Sequence, residues 1–121
     1  MNSNNTIKNF IEESKNKRII LFGAGNEMQK CLETIVERNH LKVDYIVDND
    51  FRKWYSNIWG FEVRNPLTLM KESKDEIVVL ITSIYPFRIE SQLREMGIDN
   101  CFSSLLFIDE HINKEQFMVM F

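Results

Sequence analysis

The chain has few of the residues that build linkers, cross-links or metal sites. It contains 4 glycines, 2 prolines, 2 cysteines and 2 histidines among 121 residues. So little glycine and proline leaves no room for a flexible linker, and the length suits one domain with one hydrophobic core. The two cysteines, Cys31 and Cys101, are far apart in the sequence. Their spacing favours reduced core residues over a disulfide or a metal site.

Charge and hydropathy exclude further classes of protein. The formal net charge is −3 and no cluster of lysine and arginine overrides it, so we expect neither a nucleic acid nor a membrane as a partner. No apolar run approaches the ~20 residues that span a bilayer. The beginning of the chain, MNSNNTIKNF, is polar and lacks the apolar centre of a secretory signal. These absences predict a cytoplasmic protein.

What is present is an alternation of short apolar runs and amphipathic stretches. Apolar runs without a polar face predict strands buried in a parallel sheet, and the helical spacing between them predicts helices packed on that sheet. The pattern predicts an α/β fold, a single three-layer Rossmann-like domain with a mostly parallel sheet. Predicted strands lie at 18–22, 43–47, 61–63, 77–82 and 100–102, and predicted helices at 6–16, 27–38, 66–70 and 86–96. The predicted parts are an N-terminal helix (1–17), a central domain (18–108) and a C-terminal helix or tail (109–121).

The first predicted strand ends in a glycine turn, Gly23-Ala24-Gly25-Asn26, that leads into a predicted helix. The first glycine permits a tight turn, and the second lets a ligand approach the backbone without a Cβ in the way. Free N–H groups at the start of the helix then face an anion, commonly a pyrophosphate. Met28 occupies the place of the third glycine of the dinucleotide-binding pattern, which weakens the pattern but keeps the anion site. The glycine turn therefore predicts that the domain at 18–108 is a nucleotide-binding domain.

Polar residues at two other strand ends complete the candidate site. Asp48 and Asn49 close the second predicted strand, where a carboxylate can bind ribose hydroxyls and repel the 2′-phosphate of NADP. Ser83 follows the strand at 77–82 and is expected at the same edge of the sheet. Two alternatives stay open: Asp48 begins a plain polar turn, and Ser83 caps the following helix. The aromatic residues at 51–61 either stack on a base or cover an edge or interface.

A family resemblance rests on the segments KRIILFGAGN, VDYIVDND, KW, DEIVVLITS and LREMGI. With these, the chain resembles the Rossmann-like nucleotide-binding domains of bacterial polysaccharide and nucleotide-sugar biosynthesis proteins. Those include the N-terminal domains of sugar acyltransferases, epimerase/dehydratase-like proteins and transferase-associated domains. The resemblance implies a nucleotide-sugar or NAD at Gly23, Gly25 and Asp48, with Asn49 and Asp50 near the base or ribose. The Tyr-x-x-x-Lys pair of the short-chain dehydrogenase relatives does not occur in the sequence.

Three functions remain open on the sequence. The first is a binding module that holds NAD or a nucleotide-sugar in surface-polysaccharide metabolism for chemistry done elsewhere. It would act as a homo-oligomer, or with a linked or partner transferase domain. The second is an enzyme, either a small nucleotide-sugar oxidoreductase or a fragment of a methyltransferase that uses S-adenosylmethionine. The third is an assembly scaffold without a ligand. No catalytic residue and no metal ligand is predicted, because no nucleophile–base set is recognisable.

Overall fold

The computed structural model describes residues 5–107. Its fold is α/β with a six-stranded, mostly parallel sheet, which confirms the predicted class. The helices are α1 (Ile7–Ser14), α2 (Asn26–Cys31) and α3 (Pro86–Glu95). The strands are β1 (Arg18–Phe22), β2 (Val43–Val47), β3 (Asn57–Ile58), β4 (Phe61–Arg64), β5 (Ile77–Ile81) and β6 (Cys101–Ser103). A π-helical turn (Leu32–Val36) and four short 3-10 helices (Phe51–Lys53, Pro66–Lys71, Lys74–Glu76 and Ser104–Leu106) complete the described elements.

The sheet has the strand order β3-β4-β2-β1-β5-β6. The pairs β1–β2, β1–β5, β2–β4 and β5–β6 are parallel, and the edge strand β3 is antiparallel to β4. Chain order reverses direction across the sheet at β1, since β2 lies on one side of it and β5 on the other. In open sheets of this kind the crevice beyond the carboxyl ends of the strands at such a switch point is the usual place of a ligand.

Both faces of the central strands are buried, as the strand patterns predicted. Alternate residues of β1 belong to two separate clusters: Ile19 and Leu21 pack under α1 and α2, and Ile20 and Phe22 pack against α3. Phe10 of α1 is fully buried and packs edge-on against the Phe102 ring, with ring centroids 5.6 Å apart. The sheet therefore lies between helices on its two sides.

The predicted helix at 27–38 is wrong in its second half, which forms a π-helical turn. The N–H of Glu37 donates to the carbonyl of Leu32, five residues earlier, at 3.0 Å. The run Thr34-Ile35-Val36 is β-branched, and such side chains crowd the preceding turn of an α-helix. The wider turn leaves the side chains of Leu32, Ile35 and Val36 buried against the sheet.

Smaller differences lie at element ends. The predicted helix after Pro66 is a 3-10 helix, β6 ends at Ser103, and Thr82 lies just beyond β5. The predicted C-terminal helix or tail at 109–121 lies outside the described residues. Within the described residues, no helix is long and apolar enough to cross a membrane.

Candidate functional site

Gly23 is held between the ends of β2 and β5. Its N–H donates to the carbonyl of Val47 at 2.8 Å, and its carbonyl accepts from the hydroxyl of Thr82 at 2.7 Å. Its φ is +124°, and a Cβ built there would lie 2.6 Å from the carbonyl oxygen of Thr82. Only glycine tolerates this combination of backbone angle and close approach. Gly23 is therefore required by the fold itself, whatever the turn binds.

Gly25 differs from Gly23 in both respects. It precedes α2 with φ −115° and ψ −155°, which any residue can adopt. A Cβ built at Gly25 would meet no protein atom within 4 Å. The fold thus gives no reason for glycine at this position, and the space beside it opens onto the cleft described below.

Asp48 joins the glycine turn to the end of β2. Its Oδ2 accepts from the N–H of Ala24 at 2.8 Å, and its Oδ1 accepts from the N–H of Asp50 at 2.7 Å. Its carbonyl accepts from the indole Nε1 of Trp54 at 2.6 Å. The Ala24 N–H is therefore already bonded, whereas no acceptor for the N–H of Gly25 or Asn26 occurs within residues 5–107. Asp48 is more than the start of a polar turn, because it shapes the glycine turn.

We expect Asp48→Asn to lower the free energy of unfolding by about 1–3 kcal/mol, since both carboxylate oxygens accept from backbone N–H groups. An amide has one oxygen, so its NH₂ group would face one of the two N–H donors. Urea denaturation measures the change. Asn49→Ala is the control, with an expected cost within about 0.5 kcal/mol. A cost for Asp48→Asn as small as the control's would show that these contacts contribute little.

Asn49 and Ser83 lie at the same edge of the sheet, as the strand ends predicted. The side-chain amide of Asn49 pairs reciprocally with that of Gln92 in α3, at 2.8 and 2.9 Å. The hydroxyl of Ser83 accepts from the N–H of Tyr85 at 3.1 Å. Tyr85 itself is the N-cap of α3, with no side-chain cap. The Ser83 hydroxyl thus forms a turn before α3, and the capping alternative for this residue is wrong.

An open cleft runs along this edge, made of two adjoining hollows of about 270 and 290 Å³. Gly23, Asp48, Ser83 and Tyr85 line both hollows. The larger hollow lies over the glycine turn, and the other extends toward α3. Of the seven predicted site residues, Gly23, Asp48 and Ser83 line both hollows, Ala24, Gly25 and Asn26 line the larger one, and Asn49 lines the other. The structure therefore brings all seven to one cleft.

The sequence interpretation missed the two cations of the cleft, Lys53 and Arg88. Lys53 lies in the segment 51–61, which was interpreted only for its aromatic side chains, although KW was among the segments that carried the resemblance. None of those aromatic side chains is among the residues that line the two hollows. Trp54 instead holds the backbone at Asp48. A base or sugar in these hollows would not stack on that aromatic group.

Neither cysteine of the chain is placed as a reactive nucleophile, and the described residues contain no metal cluster. Cys31 and Cys101 are free and buried, as predicted. Burial, together with the nearby Glu27 carboxylate, raises the pKa of the Cys31 thiol to about 11. A thiol with so high a pKa is almost entirely protonated near neutral pH and reacts slowly. Within residues 5–107 no group of histidine, cysteine, aspartate and glutamate could hold a metal ion.

A family model described as C2185-like, N-terminal, matches residues 15–101. Two similar solved structures are a Rex-family repressor, RSP, and RSP in complex with beta-NAD+ and operator DNA. The structure described as RSP, a Rex-family repressor, has a TM-score of 0.57 and the complex 0.54, each with 16% identity over 93% of this chain. The chain spans only 61% and 60% of those two chains. No curated protein matches the chain significantly.

These comparisons overturn the expected resemblance and the function that it implied. The matching family is the C2185-like one, and the structural neighbours are repressors, so the assignment to polysaccharide or nucleotide-sugar biosynthesis is wrong. The segments behind it were a glycine turn, an acidic strand end and apolar strands. Any nucleotide-binding sheet of this kind needs those features, whatever its pathway.

The exclusion of nucleic acid as a partner is also wrong, because one neighbour of this fold was solved with operator DNA. That prediction rested on the net charge of −3. Net charge averages over the whole surface, whereas DNA binding depends on local groups of cations and on other parts of a longer protein. The net charge of this chain therefore neither supports nor excludes DNA as a partner.

Proposed function

This chain belongs to the C2185-like N-terminal family, and we propose that it binds a nicotinamide adenine dinucleotide in the cleft at the carboxyl edge of its sheet. The domain would sense the dinucleotide and pass its presence to another part of the protein or to a partner. The observation that carries the proposal is Gly25. Neither the backbone angles nor the packing at this position requires a glycine, yet the residue borders the hollow over the glycine turn.

The arrangement of the cleft supports a ligand with a pyrophosphate. The N–H groups of Gly25 and Asn26 face no acceptor within residues 5–107. The Ala24 N–H is bonded to Asp48, so Ala24 would contribute shape, and Gly23 would set the turn. A carboxylate oxygen has room for a second hydrogen bond, which leaves Asp48 able to bind a ribose hydroxyl. Asn49 and Ser83 would border the two ends of the dinucleotide.

The neighbouring structure with beta-NAD+ supports NAD over other nucleotides. A nucleotide-sugar has no such support. The strand order supports the finer fold prediction. Without the antiparallel β3, the parallel strands follow the order third, second, first, fourth, fifth, which is that of a Rossmann-like three-layer domain. We keep residues 18–108 as the nucleotide-binding domain and the cytoplasm as its location, both as predictions.

We expect NAD+ to bind at least about tenfold more tightly than NADP+, because a carboxylate at the end of β2 repels a 2′-phosphate. Calorimetric titration with NAD+, NADH, NADP+ and UDP-glucose measures the four affinities. A thermal-unfolding series gives a second readout, since a ligand at 100 times its dissociation constant adds about 2.7 kcal/mol to the stability.

UDP-glucose is the control, because it carries a pyrophosphate but no nicotinamide ribose. Saturable binding of NAD+ or NADH with little binding of UDP-glucose supports the proposal. If neither dinucleotide binds at millimolar concentration, the proposal is overturned. A preference for NADH over NAD+, or the reverse, would identify which redox form the domain reports.

A further inference from the structure

Lys53 extends from the segment after β2 toward the glycine turn. It ends the 3-10 helix Phe51–Lys53. Its Nζ lies 3.4 Å from the carbonyl oxygen of Ala24 and 3.9 Å from Oδ2 of Asp48. Its side chain is about one third exposed, at 36%, and it lines the larger hollow together with Gly25. The ammonium group thus lies beside Gly25, which has no Cβ and whose N–H has no acceptor within residues 5–107.

Contacts on either side fix the backbone that carries Lys53. The indole of the next residue, Trp54, donates to the carbonyl of Asp48 at 2.6 Å. The N–H of Tyr55 donates to the carbonyl of Val63 in β4 at 2.7 Å. The N–H of Lys53 itself donates to the carbonyl of Asp50 at 3.0 Å. The fold therefore fixes the backbone position from which the Lys53 side chain reaches the glycine turn.

The ammonium group of Lys53 is poorly satisfied where it lies. It has three N–H donors, and its two oxygen partners stand at the long end of hydrogen-bond and ion-pair range. The adjacent Arg52 shows the contrast. Its guanidinium binds both oxygens of Asp50, at 2.9 and 3.0 Å, and is 78% exposed. Of these two neighbouring cations, Lys53 is the one with unused donors, and it borders the cleft.

The charge of the cleft makes such a cation necessary for an anionic ligand. Three carboxylates line the two hollows, those of Glu27, Asp48 and Asp50. They would repel a diphosphate unless cations offset them. Lys53 borders the larger hollow, over the glycine turn, and Arg88 borders the other. A diphosphate over the glycine turn would therefore have Lys53 as its nearest cation.

We propose that Lys53 and the bare backbone at Gly25 form a seat for a diphosphate group, with the Lys53 ammonium donating to a phosphate oxygen. The proposal rests on the proposed function, since it names the part of the dinucleotide that is held there. The ligand class is a nucleoside diphosphate or a dinucleotide. Lys53 would distinguish these ligands from nucleosides, which lack the charged group.

The test compares the intact chain with Lys53→Met, Lys53→Arg and Lys42→Met by calorimetric titration with NAD+, ADP and inorganic pyrophosphate. Lys42 precedes β2 and is exposed at the opposite edge of the sheet, so it matches the change in charge. We expect Lys53→Met to weaken NAD+ and ADP by about tenfold or more, because a hydrogen bond to a charged group is lost. Lys42→Met should stay within about twofold, and Lys53→Arg should retain most of the affinity.

The outcomes separate this proposal from the proposed function. If Lys53→Met binds NAD+ and ADP as tightly as the unaltered chain, the role of Lys53 is overturned while NAD binding stands. If the unaltered chain binds pyrophosphate but not NAD+ or NADH, and Lys53→Met loses pyrophosphate, the seat stands and the proposed function fails. If no diphosphate binds at all, both are overturned. Lys53→Gln, with a polar end group, replaces Lys53→Met if the latter lowers the melting temperature.

Discussion

Gly23→Ala should destabilise the protein by about 2–5 kcal/mol, enough to unfold much of a marginally stable domain. Two costs add at this position. An L residue rarely adopts φ +124°, and its Cβ would lie 2.6 Å from the backbone oxygen of Thr82. That oxygen belongs to the backbone at the end of β5, so it cannot move aside without disturbing the sheet. Urea denaturation followed by circular dichroism measures the loss.

Gly60→Ala is the matched control, because Gly60 also has a positive φ, +85°, but a Cβ added there would meet no atom within 4 Å. This variant isolates the cost of the backbone angle, which we expect to be about 1 kcal/mol. The larger loss expected at Gly23 then contains the clash with Thr82 together with the less accessible backbone angle of +124°. Equal losses would contradict the packing argument at Gly23.

Gly25→Val should abolish dinucleotide binding, with a loss of more than about 100-fold, and leave the fold nearly intact. A Cβ at this position meets no protein atom within 4 Å and requires no strained backbone. The branched side chain would instead fill the space beside the glycine turn that the pyrophosphate needs. Replacing glycine by valine at a helix N-cap costs stability of no more than about 1 kcal/mol. Calorimetric titration with NAD+ and urea denaturation give the two readouts.

Gly23 and Gly25 make a matched pair, since the same turn is predicted to need one glycine for folding and the other for binding. Gly25→Ala is the graded control, because a single methyl group should weaken binding less than the branched valine. Unchanged NAD+ affinity in Gly25→Val would place the ligand elsewhere. A large loss of stability in that variant would mean that Gly25 serves the fold after all.

Much of the sheet could be predicted because its strands are buried on both faces. In β1 and β5 nearly every residue is apolar and hidden, so the runs 18–22 and 77–81 stand out without any knowledge of the fold. The π-helical turn Leu32–Val36 could not be predicted in the same way. Its residues have the same apolar spacing as an α-helix, so the spacing does not distinguish the two kinds of turn.

For the candidate site, the positions of the residues could be predicted from the sequence, whereas their partners could not. Gly23 and Asp48 could be placed together from the sequence, because the carboxyl ends of neighbouring parallel strands meet at one edge. Their actual partners could not. Asp48 binds the N–H groups of Ala24 and Asp50, and Asn49 pairs with Gln92, 43 positions away. Such pairs depend on how α3 and the segment after β2 pack, which no local pattern records.

The sequence by itself determined the α/β class, the central strands and the seven residues that border one cleft. It did so because burial and turn geometry leave local signatures in residue type. Only the tertiary structure decided that the fold requires glycine at Gly23 but not at Gly25, and that Lys53 reaches the glycine turn. Those facts depend on distances between atoms far apart in the chain. The steric clash at Gly23 and the polar contacts of Lys53 both depend on such distances.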